Sequence, residues 1–120
     1  MPEFRVVFTA EDYDTTVPFF TDVMGLEVLR SWDDHGRGTI LLAADGQIEV
    51  FDNPDGGPTG VSGAHLAWEV ADADAEYEVL AARGASLHGP PQMQPWGHRN
   101  FTVDAPDGWT ITLFEVVVPQ

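Results

Sequence analysis

The side chains of this 120-residue chain that are best suited to acid–base chemistry are Glu49 and His65, a carboxylate and an imidazole in the middle of the sequence. Such a pair can remove a proton next to a carbonyl group. That chemistry usually also needs an electrophile to hold the developing enolate, and the cation of Arg5 is a candidate for this role. Because the chain contains no cysteine, disulfides and thiolate–metal sites are excluded.

A second group of candidate residues is aromatic. Trp96 lies in the loop sequence QPWGHR, residues 94–99, where a large ring either covers the core or offers a ligand a stacking surface. Gly97 would let the backbone approach a ligand closely, and Trp32 is a further candidate for the same surface. The sequence has no Walker or dinucleotide glycine loop and no Gly-x-Ser-x-Gly elbow, so it does not indicate a nucleotide site of those types or a serine hydrolase.

The charge balance narrows the choice of partner. Twenty acidic residues against five arginines give a formal net charge of -15, which repels nucleic acids and anionic membranes and attracts cationic ligands. The alternative is that the acids only keep the protein soluble, since they are spread along the whole chain. We find no apolar run of membrane-spanning length and no signal pattern at the N-terminus, and therefore expect a cytoplasmic protein without a nucleic-acid or membrane partner.

The sequence repeats itself. Residues 4–14 align without a gap with residues 64–74, and both patterns alternate like strands before an Asp-x-Asp helix start. Residues 48–52 align with residues 111–115, and each segment follows an Asp-Gly turn. Two matches in the same order indicate a duplicated unit. The alternative is that amphipathic strands simply resemble one another.

Each half is predicted to run from strand to helix to further strands, which gives an α+β fold. We predict one domain, residues 1–120, with module 1 at about 1–55, a Pro- and Gly-rich linker at 53–60 and module 2 at about 61–120. The first helix should begin after Asp14 and end at Gly25. The predicted elements are strands at 4–10, 26–33, 37–44, 47–52 and 64–70, helices at 15–24 and 73–83, a loop at 89–95, and strands ending at 99–104 and 109–117.

Residues 12–28, DYDTTVPFFTDVMGLEV, and the turn at residues 105–108 that leads into residues 111–115 resemble the signature of a known family. This is the glyoxalase/bleomycin resistance/dioxygenase superfamily, also called the vicinal oxygen chelate superfamily. The resemblance implies two tandem βαβββ modules that form curved mixed sheets around a cavity, often in a homodimer. The signature is specific for the fold and weak for function, because the superfamily includes lyases, isomerases, dioxygenases and binding proteins.

The resemblance also implies where a metal would bind. Metal enzymes of the superfamily carry one ligand on the first and one on the last strand of each module, and the repeat places these positions at Arg5, Glu49, His65 and Thr112. A guanidinium has no lone pair to give to a metal, so we expect Arg5 to pair with Glu49 instead, with no metal and no other cofactor. The alternative is a metal-dependent glyoxalase-type lyase or isomerase, or a dioxygenase. Its rearranged site would keep Glu49 and His65 and take a further ligand from His35, His88 or His98.

The QPWG run followed by an arginine resembles the loop of bleomycin-resistance proteins whose tryptophan stacks on a flat part of the drug. His35 matches the opposing aromatic position. We therefore predict a homodimeric small-molecule binding protein that sequesters a planar, cationic antibiotic and has no catalytic residue. A third interpretation is an accessory module in which the Trp96 loop is packed shut. The predicted ligand-binding residues are Trp32, His35, Glu49, Phe51, His65, Trp96, His98, Arg99 and Thr112.

Overall fold

The computed structural model describes residues 2–119, and the chain divides into two compact units. The division falls between residues 61 and 62, directly after the Pro- and Gly-rich stretch at 53–60. Each unit has the order strand, helix, three strands, and each contains one four-stranded mixed sheet. This is the fold of two tandem βαβββ modules that the repeat and the family resemblance predict. Among residues 2–119, no helix has the length and apolarity needed to cross a membrane.

The first unit has a sheet of strand order β1-β4-β3-β2. Strand β1 is parallel to β4, and the other neighbours are antiparallel, as expected when a helix connects the first strand to the rest. The helix continues from an α-helical segment into a π-helical turn at Phe19–Val23. The elements are β1 at Arg5–Thr9, α1 at Tyr13–Pro18, β2 at Glu27–Trp32, β3 at Gly38–Ala43 and β4 at Gly46–Phe51.

The helix of the first unit begins earlier than predicted. Asp12 is the N-cap residue, whereas Asp14 already lies in the first turn, so the predicted cap at Asp14 is wrong. Pro18 falls inside the helix, and because it lacks an N–H it removes one helical hydrogen bond just before the π-helical turn. Gly25 ends the helix with φ 74°, as predicted, a conformation that glycine adopts without steric strain.

One face of the first sheet forms the core beneath the helix. Phe20, Leu41 and Val50 are fully buried, and the ring of Phe20 packs edge-on against Phe8 at 6.4 Å. Successive side chains of a strand point to opposite faces. The residue that follows Val50 in β4, Phe51, therefore belongs to the sheet face that points away from the helix.

The second unit repeats this arrangement with strand order β5-β8-β7-β6. Its helix is capped by Asp72, whose carboxylate accepts a hydrogen bond from the Ala75 N–H at 3.1 Å. The predicted loop at 89–95 is largely wrong, because β6 runs through residues 89–93 as an edge strand, where proline is tolerated. The elements are β5 at Leu66–Glu69, α2 at Ala73–Ala82, β6 at Ser86–Met93, β7 at His98–Asp104 and β8 at Thr110–Val116, with a 3-10 turn at Pro106–Gly108.

An arginine ties the helix start to the sheet in both units. Arg37 donates to Asp14 at 2.9 Å and to Asp52 at 2.9 Å. Arg99 donates two hydrogen bonds to Asp74, at 2.9 and 3.0 Å. Arg37 directly precedes Gly38, which pairs with Phe51 of β4. Arg99 directly precedes Asn100, which pairs with Phe114 of β8. The same contact at matching places supports the duplication that the sequence alignment indicates.

Candidate functional site

A cavity of about 360 Å³ opens on the sheet face of the first unit that points away from the helix. This volume lies near the lower end of the range for small-molecule pockets. The lining side chains come from β1, β2, β3, β4 and the segment after β2. They are Arg5, Arg30, Trp32, Asp34, His35, Ile40, Glu49 and Phe51. The cavity brings together four of the residues predicted from the sequence, Trp32, His35, Glu49 and Phe51.

The registers of β2, β3 and β4 explain how the cavity is built. One row of paired residues runs across the three strands as Arg30, Ile40 and Glu49, and a second row contains Trp32, Gly38 and Phe51. Paired residues of neighbouring strands point to the same face. The side chains of each row therefore point to the same face of the sheet. The first row has charged groups at its two ends, and the second row has aromatic rings at its two ends.

An ion pair lies at one end of the cavity. Arg5 donates a hydrogen bond to Glu49 at 3.1 Å, and the Glu49 side chain is only 12% exposed. Arg5 also pairs with Glu3. Hydrogen bonds to Glu49 and then Glu3 raise the pKa of the Arg5 guanidinium above its ordinary value. The pair predicted from the sequence is therefore present, and it places a permanent cation against the Glu49 carboxylate.

Two aromatic rings form a corner in the cavity wall. The ring centroids of Trp32 and Phe51 are 5.9 Å apart, with an interplanar angle of 69°. The Arg30 guanidinium lies 5.6 Å from the centre of the Trp32 ring, within the range of a cation–π interaction. This corner offers a flat ligand one ring face and one ring edge, a geometry that aromatic groups favour.

His35 is a largely exposed member of the cavity lining. Its side chain is 81% exposed, and its Nδ1 lies 3.0 Å from an oxygen of Asp34. The sequence predicts His35 as the aromatic partner of a loop tryptophan. Within the first unit, Trp32 and Phe51 form an aromatic pair, and His35 and Asp34 add polar side chains to the cavity lining.

The second unit carries its own aromatic group. His98 stacks on Phe114, with centroids 4.7 Å apart and rings only 7° from parallel. Trp96 approaches His98 edge-on at 6.5 Å, and its side chain is 49% exposed, so the ring is not packed shut. Sequence analysis missed Phe114, although its alignment with Phe51 was a usable signal. On the same sheet face, the hydroxyls of Thr112 and Thr102 lie 3.3 Å apart.

Trp96 sits at the tip of a tight turn between β6 and β7. The Gly97 N–H donates to the Gln94 carbonyl at 3.1 Å, and Gly97 has φ 91°. A Cβ on Gly97 would lie 2.5 Å from the carbonyl oxygen of Val118. The close approach that Gly97 permits within the described chain is therefore to the chain's own C-terminal segment.

Arg99 and His65 are placed differently from the other predicted residues. Arg99 pairs with Asp74 at the start of α2, so it lies on the helix side of its sheet and not on the face of His98 and Phe114. The hydrogen bonds to Asp74 raise the pKa of Arg99 above its ordinary value. The structure therefore places Arg99 apart from His98 and Thr112, the other predicted ligand-binding residues of this sheet. His65 is exposed and directly precedes β5.

The family model of the Glyoxalase/Bleomycin resistance protein/Dioxygenase superfamily matches residues 4–113, which is most of the chain. The chain belongs to this superfamily. A search of curated protein sequences gave no significant match.

Crystal structures of other superfamily proteins and their relatives have the same fold. TnmS3, an antibiotic binding protein from Streptomyces sp. CB03234, is 25% identical, with 97% of this chain and 96% of that chain covered and a TM-score of 0.76. TioX from Micromonospora sp. ML1 is 24% identical, with 97% of this chain and 99% of that chain covered and a TM-score of 0.78. A lactoylglutathione lyase from Agrobacterium tumefaciens is 19% identical, with 95% of this chain and 92% of that chain covered and a TM-score of 0.71.

Two of the four residues at the metal-ligand positions implied by the superfamily resemblance, Arg5 and Thr112, are unsuited to a metal ion. Arg5 donates to Glu49 where two ligands would have to meet, and a guanidinium cannot coordinate a cation. Thr112 offers a hydroxyl that interacts with Thr102. Within the part of the chain that the structure describes, no group of three or more His, Cys, Asp or Glu side chains could hold a metal.

Proposed function

We propose that this protein binds a planar, cationic small molecule of the antibiotic type and sequesters it without metal catalysis. The observation that carries the proposal is the aromatic corner of Trp32 and Phe51 in the cavity of the first unit. Flat ring systems gain both apolar burial and favourable ring geometry in such a corner. In the second unit, Trp96, His98 and Thr112 belong to a further proposed contact surface that also includes Phe114.

The preference for a cation rests on two features. The net charge of -15 gives the whole protein a field that attracts cations. Within the cavity, the Trp32 ring already accommodates the flat cation of Arg30 at 5.6 Å. A ligand cation that displaced the Arg30 guanidinium from this ring would gain a comparable cation–π interaction, and the exposed Asp34 of the lining would favour its entry.

Binding without metal chemistry is supported by the ion pair of Arg5 and Glu49. The pair neutralises the one nearly buried carboxylate of the cavity, so that carboxylate does not need a metal ion to compensate its charge. The likeness to TnmS3, which binds an antibiotic, agrees with this proposal. We further propose that the protein works as a homodimer in the cytoplasm.

The experiment that tests the proposal compares three flat tricyclic probes that differ in charge. Proflavine is the cation, anthracene-9-methanol the neutral probe and anthracene-9-carboxylate the anion. Calorimetric titration of chelator-treated protein should give the tightest binding for proflavine, and that affinity should fall as salt is added. Failure of all three probes to bind, or tightest binding of the anion, would contradict the proposal.

The alternative is a metal-dependent lyase, isomerase or dioxygenase that retains Glu49 and His65. Metal analysis of the chelator-treated protein tests this alternative. Under the proposal, plasma mass spectrometry should detect no stoichiometric metal after incubation with divalent cations. One metal per chain, lost in Glu49→Ala and in His65→Ala, would establish the alternative instead.

A further inference from the structure

The middle residue of the row Trp32, Gly38 and Phe51 has no side chain. A Cβ built on Gly38 would lie 2.1 Å from Cζ2, 2.4 Å from Cε2 and 2.8 Å from Cη2 of Trp32. Carbon atoms in contact are normally separated by about 3.5–4.0 Å. The indole therefore lies directly over the backbone of Gly38, and it crosses β3 to reach Phe51 on β4.

The backbone gives no other reason for glycine at this position. Gly38 pairs regularly with residues of both neighbouring strands, and it is not among the glycines with positive φ. Glycine in a strand weakens it and often marks a place where another group approaches closely. Here the approaching group is the six-membered ring of Trp32.

The second unit shows that this arrangement is not a general property of the repeat. The matching row there contains Gln92, Asn100 and Phe114. Asn100 bears a side chain that accepts a hydrogen bond from Gln94 at 3.1 Å. The ring partner of Phe114 is His98, two residues before Asn100 at the start of β7. The crossing tryptophan is thus confined to the unit whose cavity contains the ion pair.

We propose that Gly38 is the positioning residue of the ligand-binding cavity. By leaving room for Trp32 to lie flat across β3 and against Phe51, it sets the angle and the width of the aromatic corner and so selects flat ring systems. The selection of ligands rests on the function proposed above, whereas the positioning of Trp32 does not depend on any ligand.

The ligand-free test uses protein labelled with 5-fluorotryptophan, whose four tryptophans give four fluorine NMR signals. Trp32→Phe identifies the Trp32 signal. Gly38→Ala should shift that signal and leave the other three near their wild-type positions. The matched control is Gly46→Ala in the same hairpin, where the added Cβ would meet only the Ala43 carbonyl oxygen at an ordinary 3.6 Å. An unchanged Trp32 signal in Gly38→Ala overturns the proposal.

The ligand test measures the affinity for proflavine. Gly38→Ala should bind about tenfold more weakly than wild type, as expected when one stacking wall is displaced, and Gly46→Ala should bind like wild type. In the Trp32→Ala background, the added effect of Gly38→Ala should largely disappear, because the ring that the methyl group would meet is absent. Two results would overturn the role of Gly38 in ligand selection. One is an equal loss of affinity in Gly38→Ala and Gly46→Ala. The other is wild-type affinity in Gly38→Ala although the Trp32 signal has shifted.

Two outcomes separate this inference from the proposed function. If proflavine fails to bind the wild type, the proposed function fails, and the fluorine spectra still decide whether Gly38 positions Trp32. If Gly38→Ala does not fold, the combined variant Gly38→Ala/Trp32→Ala, which removes the ring that the new methyl group would meet, must restore folding as judged by circular dichroism. A combined variant that also fails to fold overturns the inference.

Discussion

The two units of this protein share one scaffold and differ on one face of it. On the helix side, both sheets bury large apolar residues, and an arginine ties the helix start to the sheet. On the opposite face, the first unit has a charged row ending in Glu49 and a tryptophan that crosses a glycine. The second unit has the two threonines, Thr102 and Thr112, and a stacked histidine.

This difference follows from what each face must do. A helix-facing position is closely packed, so a change of volume is felt throughout the core. The other face meets water or a ligand and tolerates different chemistry. The duplication has therefore kept the contacts that fold each unit, and it has diverged where a ligand would bind.

The largest expected effect is the loss of stability when a buried helix residue, a feature that both units share, is shortened. Phe20 and Leu80 are completely buried on the helices of the first and second unit, respectively. Phe20→Ala should lower the free energy of unfolding by about 3–5 kcal/mol and Leu80→Ala by about 2–5 kcal/mol. Urea denaturation measures both, with the half-exposed Val79→Ala as the control, which should change it by less than about 0.5 kcal/mol. Losses no larger than that of the control would mean that the helices do not pack as described.

The next effect tests the faces that differ. Trp32→Ala removes one wall of the aromatic corner, and the affinity for proflavine should fall about tenfold. Trp96→Ala should have a smaller effect, since the Trp96 ring is half exposed and contacts His98 only edge-on. Calorimetric titration of the two variants decides the ranking. A larger loss in Trp96→Ala would move the main contact surface to the second unit.

A smaller effect concerns the pH dependence of the arginine tie in the first unit. Hydrogen bonds from Arg37, and then from the Asn53 N–H, hold the pKa of Asp52 below its ordinary value. A lowered pKa in the folded state means that Asp52 stabilises the protein above its unfolded pKa of about 3.9. That contribution is lost as the pH falls through the lower, folded value.

Asp52→Asn should therefore be less stable than wild type at pH 7, and the difference should shrink as the pH approaches 3. Thermal unfolding at a series of pH values measures this. Asp55→Asn, which changes an exposed carboxylate in the stretch at 53–60, is the control. A stability difference that stays constant from pH 7 to pH 3 would show that the Asp52 carboxylate is not linked to folding in this way.

The smallest effect tests the placement of Arg99. Because Arg99 pairs with Asp74 on the helix side, Arg99→Gln should leave the affinity for proflavine unchanged and cause a small decrease in melting temperature. Calorimetry and thermal unfolding give the two values. A marked loss of affinity at unchanged stability would return Arg99 to the binding site.

Sequence alone was sufficient for the order of elements, because alternating strands and a repeated Asp-x-Asp helix start leave clear patterns. The pair of Arg5 and Glu49 was predicted from the superfamily resemblance, which implies ligand positions on the first and last strand of each module, and the repeat located those positions in this chain. The strand through residues 89–93 was missed because its two prolines are typical of a loop, and only the sheet shows that they occupy an edge.

The details of the candidate site were harder to predict for a physical reason. Arg99 was predicted to bind the ligand because it closely follows the QPWG motif. Side chains alternate along β7, however, and the Arg99 side chain lies on the helix side of the sheet, where it pairs with Asp74. Gly38 gave no signal in the sequence, because its importance depends on the registers that place it between Trp32 and Phe51. Contacts across three strands become visible only when the pairing is known.

The central claim is that a flat cation binds in the aromatic corner of the first unit. The most direct measurement is a set of intermolecular nuclear Overhauser effects between proflavine and metal-free protein. We expect contacts from the proflavine ring protons to Trp32, Phe51 and Ile40, which all line the cavity. Contacts confined to Trp96 and His98, or none at saturating proflavine, would contradict it.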